Sequence, residues 1–335
     1  MPELKKQVIE LMRIRSIELH GYGPFKEKFS LSFQDEFTGK PFDRVLLSGP
    51  NGCGKTSILD SIVYPWEQFD GKEEKICQVS CEQGMLNLRS CIEKTEPFFL
   101  LTFTDYFQSK FSIYQTANKV GRTALDPSTA EKITVERKKL LLGERSISPN
   151  IVYLDNKRNW VTPNKNIGDT FAEDISRWIP RYRPSQEWKS QIELSMLNLK
   201  IIDDEKFQRV LDDINLFFQD KFIENKVFEE DKGRLRVTIC NSNEKHTLDS
   251  LSSGEQQVIV LIYMISRYMQ PGGIVLIDEP DLYLHPSLVD RLLSRIEAVV
   301  KERDGQIIIA SHNPDIWRRY ESVGLRIRLG EIEDE

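Results

Sequence analysis

The chain has 335 residues, 39% of them hydrophobic, with a formal net charge of −6 and five cysteines. That length suffices for one large α/β domain with an insertion, or for two domains, and it can bury a core unaided. The acidic balance argues against a general nucleic-acid coat while leaving room for a local patch, and an odd cysteine count argues against a disulfide framework. Cys77, Cys81 and Cys91 are spaced too loosely for a zinc site and read as free thiols. The longest apolar run, Val258 to Ile265, falls far short of a membrane span, and Met1 to Lys6 has no signal-peptide layout. The expectation is a soluble, cytoplasmic protein with no membrane partner.

Residues 3–12 suit either a short amphipathic helix or an ordered arm. Ile14, Ile17 and Leu19 then lead into the turn Gly21-Tyr22-Gly23-Pro24-Phe25, after which Phe29, Leu31 and Phe33 alternate with polar residues, predicting a half-buried hairpin. Val45-Leu46-Leu47 is a buried strand that runs directly into Ser48-Gly49-Pro50-Asn51-Gly52-Cys53-Gly54-Lys55-Thr56-Ser57. Gly49, four further residues, then Gly54-Lys55-Thr56 fit the phosphate-binding loop, with a strand before it and a helix to about Phe69 behind it. Gly49, Gly52 and Gly54 let main-chain N–H groups converge on phosphate oxygens, with Asn51, Cys53 and Ser57 completing the loop. Lys55 brings a charge to the phosphates and Thr56 a hydroxyl to Mg²⁺.

Two strand-like runs, Phe98 to Phe103 and Phe111 to Tyr114, predict a second antiparallel pair, and residues 117–150 read as a surface excursion. Ile151-Val152-Tyr153-Leu154 is a short buried strand whose following loop offers Arg158 to the nucleotide or to a dimer seam, or as an ordinary exposed loop arginine. Residues 186 to about 223 carry helical spacing, broken near Ile202-Asp203-Asp204. Leu235 to Cys240 is a strand, and Leu251-Ser252-Ser253-Gly254-Glu255 opens a helix with either serine as cap. Ile274-Val275-Leu276-Ile277 is a strand buried on both faces that ends in Asp278-Glu279-Pro280. Such a position suits Asp278 to hold Mg²⁺ and Glu279 to orient and polarise the attacking water. A helix from about Asp281 to Lys301 and a buried strand Gln306 to Ala310 follow. Ser311-His312-Asn313-Pro314 ends that strand, with His312 placed toward the γ-phosphate.

The order phosphate loop, Leu-Ser-x-Gly-Glu, Asp-Glu-Pro, Asp-x-x-Leu-His-Pro and Ser-His-Asn-Pro resembles the ABC-type ATPases. Their soluble branch includes SMC-like chromosome proteins, double-strand-break repair ATPases and the OLD-like AAA-family proteins of bacterial anti-phage systems. The resemblance covers residues 14–60 and 248–315. It implies an α/β fold: an ABC-type P-loop NTPase head with an antiparallel β-subdomain, a mixed or parallel core sheet and a helical insertion. The implied divisions are an N-terminal lobe (1–160), a helical arm (161–232) and a C-terminal lobe (233–335). ATP and Mg²⁺ are the implied ligands, sandwiched in a homodimer. There Ser252, Gly254 and Glu255 of one copy complete the site at Lys55 of the other, Asp281 lies at the seam and His312 acts as the switch histidine.

Some family features depart from this pattern. Ser253 stands where relatives carry glycine, and Gln78, Gln83 and Gln108 compete for the metal-sensing glutamine. The insertion is too short for a long coiled coil, no zinc hook is present, and no room remains for a fused nuclease. The expectation is therefore an ATP hydrolase that controls a separate effector, nuclease or toxin-like, in anti-phage defence. The alternatives are an SMC or repair-like ATPase clamping DNA, for which Arg177-Trp178-Ile179-Pro180-Arg181-Tyr182-Arg183 with Trp188-Lys189 offers cations and aromatics, and a transporter ATPase subunit.

Overall fold

The computed structural model describes residues 13–20, 23–69, 98–104, 110–116, 120–124, 150–160 and 191–330. Several expectations lie outside them: the 3–12 segment, Gly21-Tyr22, Cys77, Cys81, Cys91, the three competing glutamines, and the cation-aromatic run from Arg177 to Lys189.

The centre is a five-stranded parallel sheet ordered β13-β3-β12-β11-β7, built from β3 (Arg44–Ser48), β7 (Ile151–Leu154), β11 (Ile274–Asp278), β12 (Gln306–Ser311) and β13 (Leu325–Arg328). Its inner strands are aliphatic because both faces are covered. Alternate side chains divide between two cores: Leu46, Val152, Leu154, Val275, Ile277, Ile307 and Ile309 face one, and Val45, Leu47, Ile151, Tyr153, Ile274, Leu276 and Ile308 the other.

The second core is closed by α1 (Lys55–Phe69), through Ile58, Leu59, Ile62 and Val63, and by β1 (Arg13–His20), through Ile14, Ile17 and Leu19. β1 belongs to an antiparallel sheet ordered β2-β1-β4-β5-β6, with β2 (Phe29–Ser32), β4 (Phe98–Thr104), β5 (Lys110–Thr116) and β6 (Val120–Ala124), so both expected antiparallel pairs form. The fully buried amide of Gln306 joins the two sheets, accepting from the Ile14 N–H at 2.8 Å and donating to the Phe42 carbonyl at 2.8 Å.

The first core is closed by α2 (Ile192–Ile202), α3 (Asp204–Asn215), α4 (Ser253–Tyr268), α5 (Pro286–Glu302) and α6 (Pro314–Val323). A small sheet of β8 (Lys221–Val227), β9 (Leu235–Ile239) and β10 (Lys245–Thr247) adds Ile223, Leu235 and Val237 to it. The break expected near Asp203 is real. Asp203 ends α2 and caps α3, its carboxylate accepting from the Lys206 N–H at 2.9 Å.

The helical spacing, however, overruns. The helix stops at Asn215, whose side-chain amide accepts from the Ile223 N–H at 2.8 Å and donates to the Ile223 carbonyl at 3.0 Å. That side chain takes up the main-chain groups of the incoming strand, so Phe217 and Ile223 are buried from a turn and a strand rather than from a helix face. Among the described residues, no helix is long and apolar enough to cross a membrane.

Because Phe207 of α3 is fully buried in the core that also holds α4 and β11, Phe207→Ala is expected to destabilise the whole molecule. The expected cost is about 3–5 kcal/mol in one denaturant transition. A separate early transition would show that 192–215 folds independently.

Candidate functional site

Three chain segments leave the parallel sheet at its carboxyl edge side by side. The register pairs Ser48 with Ser311 and Asp278 with Ala310, so the phosphate loop, the acidic pair and the His312 loop emerge together. The loop closes only because it carries glycines where it does. Gly54 has φ +99°, and a Cβ there would lie 2.6 Å from the Phe25 ring and 2.8 Å from Pro24. The Pro24-Phe25 turn is therefore a wall packed on the loop. The stretch behind β13 forms another: the Leu329 N–H donates to the Ser48 carbonyl at 2.8 Å, and Ser48 donates its hydroxyl to the Ile327 carbonyl at 3.0 Å.

Lys55 is 5% exposed, and its ammonium donates to the Gly49 and Pro50 carbonyls, each at 2.9 Å. It lies 3.9 Å from Glu279 Oε1, while Glu279 Oε2 is 2.8 Å from His312 Nδ1. Beside this row, the Thr56 hydroxyl donates to Asp278 Oδ2 at 2.7 Å. Asp278 is fully buried, and its Oδ1 has no hydrogen-bond partner. Burial pushes its carboxyl up to about 6, against the pull of the Thr56 hydroxyl. A buried, unpartnered carboxylate oxygen next to a threonine hydroxyl is an all-oxygen donor pair that suits Mg²⁺.

Glu279 is bent out of line with its strand. Its φ is +48°, a left-handed conformation that costs a residue with a Cβ roughly 1–2 kcal/mol. Its N–H donates to the Ala310 carbonyl at 2.8 Å. Asp281 turns back into its own chain, accepting from the Ser311 hydroxyl at 3.2 Å and the Asn313 amide at 3.0 Å. The two proline-marked helix starts are also explained. His285 caps α5 and Asn313 caps α6, with Pro286 and Pro314 in the first turns, so α5 begins at Pro286 rather than at Asp281.

Ser252 caps α4 in a full capping box: its Oγ accepts from the Glu255 N–H at 3.3 Å, and the Glu255 carboxylate accepts from the Ser252 N–H at 2.9 Å. Lys221 fixes that carboxylate at 2.6 Å. Within one chain, then, Glu255 serves the cap. Gly254 is buried where a Cβ would come 2.8 Å from the Tyr283 carbonyl, so the start of α4 rests on the Asp281 loop. Ser252 and Ser253 are exposed. Asn51 and Gly52 are exposed on the phosphate loop, while Cys53 and Ser57 are half-buried.

Arg158 departs from expectation. It faces neither solvent nor the open site: it is fully buried, and its Nη1 donates to the carbonyls of Asp155 and Asp278, each at 2.6 Å. Its Nη2 donates to the Glu279 carbonyl. Gln257 was not singled out by its sequence context, yet its side chain donates to the Arg158 carbonyl at 2.6 Å. Nothing local in the sequence marks either contact.

With this geometry in hand, the chain matches the family model described as "AAA domain, putative AbiEii toxin, Type IV TA system" over residues 104–316, and a further AAA-domain model over residues 12–65. It is 26% identical to protein ea59 of Escherichia phage lambda over 79% of this chain and 44% of that protein, so it spans less than half of that relative's length. It is 22% identical to the "Retron Vc95 probable ATPase" of Vibrio cholerae over 94% of this chain and 73% of that one. It is 23% identical to the Septu protein PtuA of Bacillus thuringiensis over 97% and 77%. Among solved structures it is similar to the SMC head domain from Thermotoga maritima, with 15% identity, a TM-score of 0.47 and coverage of 96% of this chain and 95% of that one.

The raised carboxyl of Asp278 has a sign that can be measured. Its folded value, about 6, lies above the ordinary 3.8, so the folded form binds more protons between the two, and this group's penalty is full above about 6 and relieved as pH falls. In buffer free of metal and nucleotide, Asp278→Asn is expected to raise the thermal midpoint at neutral pH, by an equivalent of at most about 3 kcal/mol, with the gain shrinking as pH falls from about 6 toward 4. A loss of stability, or a gain indifferent to pH, would contradict this.

Proposed function

Because the chain belongs to the AAA-domain family matched over residues 104–316, we infer that it is an ATP hydrolase of the ABC type. It works as a two-copy assembly and controls a separate effector. The observation that carries this reading is the contact row Lys55, Glu279, His312 beside the pair Thr56 and Asp278, all at the carboxyl edge of one parallel sheet.

In this reading the loop N–H groups and Lys55 hold the β- and γ-phosphates of ATP. Thr56 and Asp278 would hold Mg²⁺, which supplies neutralisation of phosphate charge. Glu279 orients a water whose oxygen bonds to the γ-phosphorus while the bond to the β–γ bridging oxygen breaks, its electron pair leaving with ADP. Glu279 takes the water's proton, and His312, hydrogen-bonded to the same carboxylate, fixes its orientation. The exposed cap serines at the start of α4 suit a second copy's triphosphate: a helix N-terminus attracts anions, and Gly254, seated on the Tyr283 carbonyl, keeps that end rigid. The Asp281 loop, on which α4 rests, would then lie at the seam.

We place the chain in bacterial anti-phage defence, a reading prompted by the relatives described as a retron ATPase and a Septu protein. The effector is a separate nuclease or toxin-like protein.

Glu279→Gln is expected to keep ATP affinity, slow hydrolysis by about 10²–10⁴-fold and accumulate an ATP-bound dimer, read by nucleotide titration and light scattering. Lys55→Ala is expected to lose ATP binding. Hydrolysis at the parental rate in Glu279→Gln would remove the role given to that carboxylate.

A further inference from the structure

Glu279 can meet Lys55 and His312 only because its main chain leaves the strand in a left-handed bend. Such a bend in a residue with a Cβ persists only where neighbours over-determine it. On one side the restraint is the Ala310 carbonyl of β12, which accepts the Glu279 N–H at 2.8 Å. On the other side the Glu279 carbonyl accepts from the Leu282 N–H of its own turn at 3.2 Å and from one buried side chain, Arg158. The guanidinium of Arg158 accounts for the carbonyls of both Asp278 and Glu279 and for Asp155 of its own loop.

A planar fork with donors fixed in direction suits three converging carbonyls; a lysine ammonium on a flexible stem does not. The burial is also costly. Arg158 is completely enclosed, its Nε lacks a partner, and burial pulls its pKa down to about 10 against the surrounding carboxylates. An apolar side chain would avoid that cost only by withdrawing the donor from three main-chain carbonyls, so what the buried guanidinium does is hold that main chain. The backbone of Arg158 is in turn held from another direction: Gln257, 3% exposed and on the first turns of α4, donates to its carbonyl at 2.6 Å.

We propose that Arg158 is a positioning residue for hydrolysis, which holds the Asp278-Glu279 main chain in its working conformation and, through Gln257, ties that conformation to the helix capped by Ser252. This rests on the role given above to Glu279. It means that any displacement of the α4 N-terminus, by phosphate of a second copy's nucleotide or by a partner, reaches the hydrolytic carboxylate through two hydrogen-bonded side chains.

The test compares Mg-ATP affinity, by titration of a fluorescent analogue, with kcat in the full chain. Arg158→Met is expected to bind within about threefold of the parental affinity while kcat falls about 100-fold, the scale of a small misplacement of a reacting group. Arg158→Lys is expected to recover only part of the loss. Gln257→Leu is expected to lower kcat about tenfold at unchanged affinity, and it decides the question if Arg158→Met does not fold. Arg158→Met combined with Glu279→Gln is expected to be no slower than Glu279→Gln alone, since one acts through the other.

A parental kcat in Arg158→Met, a multiplicative double variant, or affinity and kcat falling together with the thermal midpoint would overturn the proposal. So would an unchanged kcat in Gln257→Leu when Arg158→Met is unfolded. The two layers fail differently. Parental hydrolysis in Glu279→Gln removes the carboxylate's role and this proposal with it, whereas a slow Glu279→Gln beside a normal Arg158→Met removes the proposal alone.

Discussion

The hydrogen bond from Thr56 to Asp278 ties together the two segments that matter most, 222 residues apart in the chain. Asp278 reaches that hydroxyl because β11 is separated from β3 by one strand, β12, in unbroken parallel register. A buried carboxylate with one oxygen unpartnered is a cost the fold carries. The surrounding structure is arranged so that the same edge also presents Lys55, Glu279 and His312. A polar cluster of this kind cannot be held by floppy loops. It is held because the strands beneath are packed on both faces, Leu276 into one core and Ile277 into the other.

Around that edge the chain adds supports that converge on the acidic pair. Arg158 gathers the carbonyls behind it, the Asp281 carboxylate ties its loop to Ser311 and Asn313, and Gly254 sets the start of α4 on the Tyr283 carbonyl. The site and the exposed cap serines are thus linked by direct contacts within a single chain, even though their proposed meeting over a nucleotide takes two. A signal from a partner would need little travel. Shifting α4 disturbs its contacts with Arg158 and with the Asp281 loop together.

Much of this was legible in the sequence because the chemistry imposes its own spelling. Strands buried on both faces must be aliphatic runs, as Ile274 to Ile277 and Gln306 to Ala310 are, and phosphate cradling demands glycines followed by Lys55 and Thr56. The helix after Ser252-Ser253 announces itself through its cap, whereas the starts at His285-Pro286 and Asn313-Pro314 were not read as such, because the Asp281 turn and the His312 loop ahead of them are polar and carry site residues of their own. What was hidden depended on partners far away in the chain. Asn215 stops a helix by bonding Ile223, which periodicity cannot reveal when Phe217 and Phe218 continue the apolar spacing. Arg158 reads as a loop cation because charge is seldom buried, and its acceptors are main-chain carbonyls that no residue type encodes. β13 and the Leu329 contact with the phosphate loop left no local mark either.

The account stands or falls on a site shared between copies. Lys55→Ala and Ser252→Arg chains should each be inactive alone, one lacking the lysine and the other the cap serine in both sites of its dimer. Mixed, they form dimers in which one site pairs an intact Lys55 with an intact Ser252, and random pairing should restore about a quarter of parental hydrolysis. A mixture that stays inactive although both chains fold and co-assemble, or a Ser252→Arg chain that hydrolyses ATP alone, would contradict it.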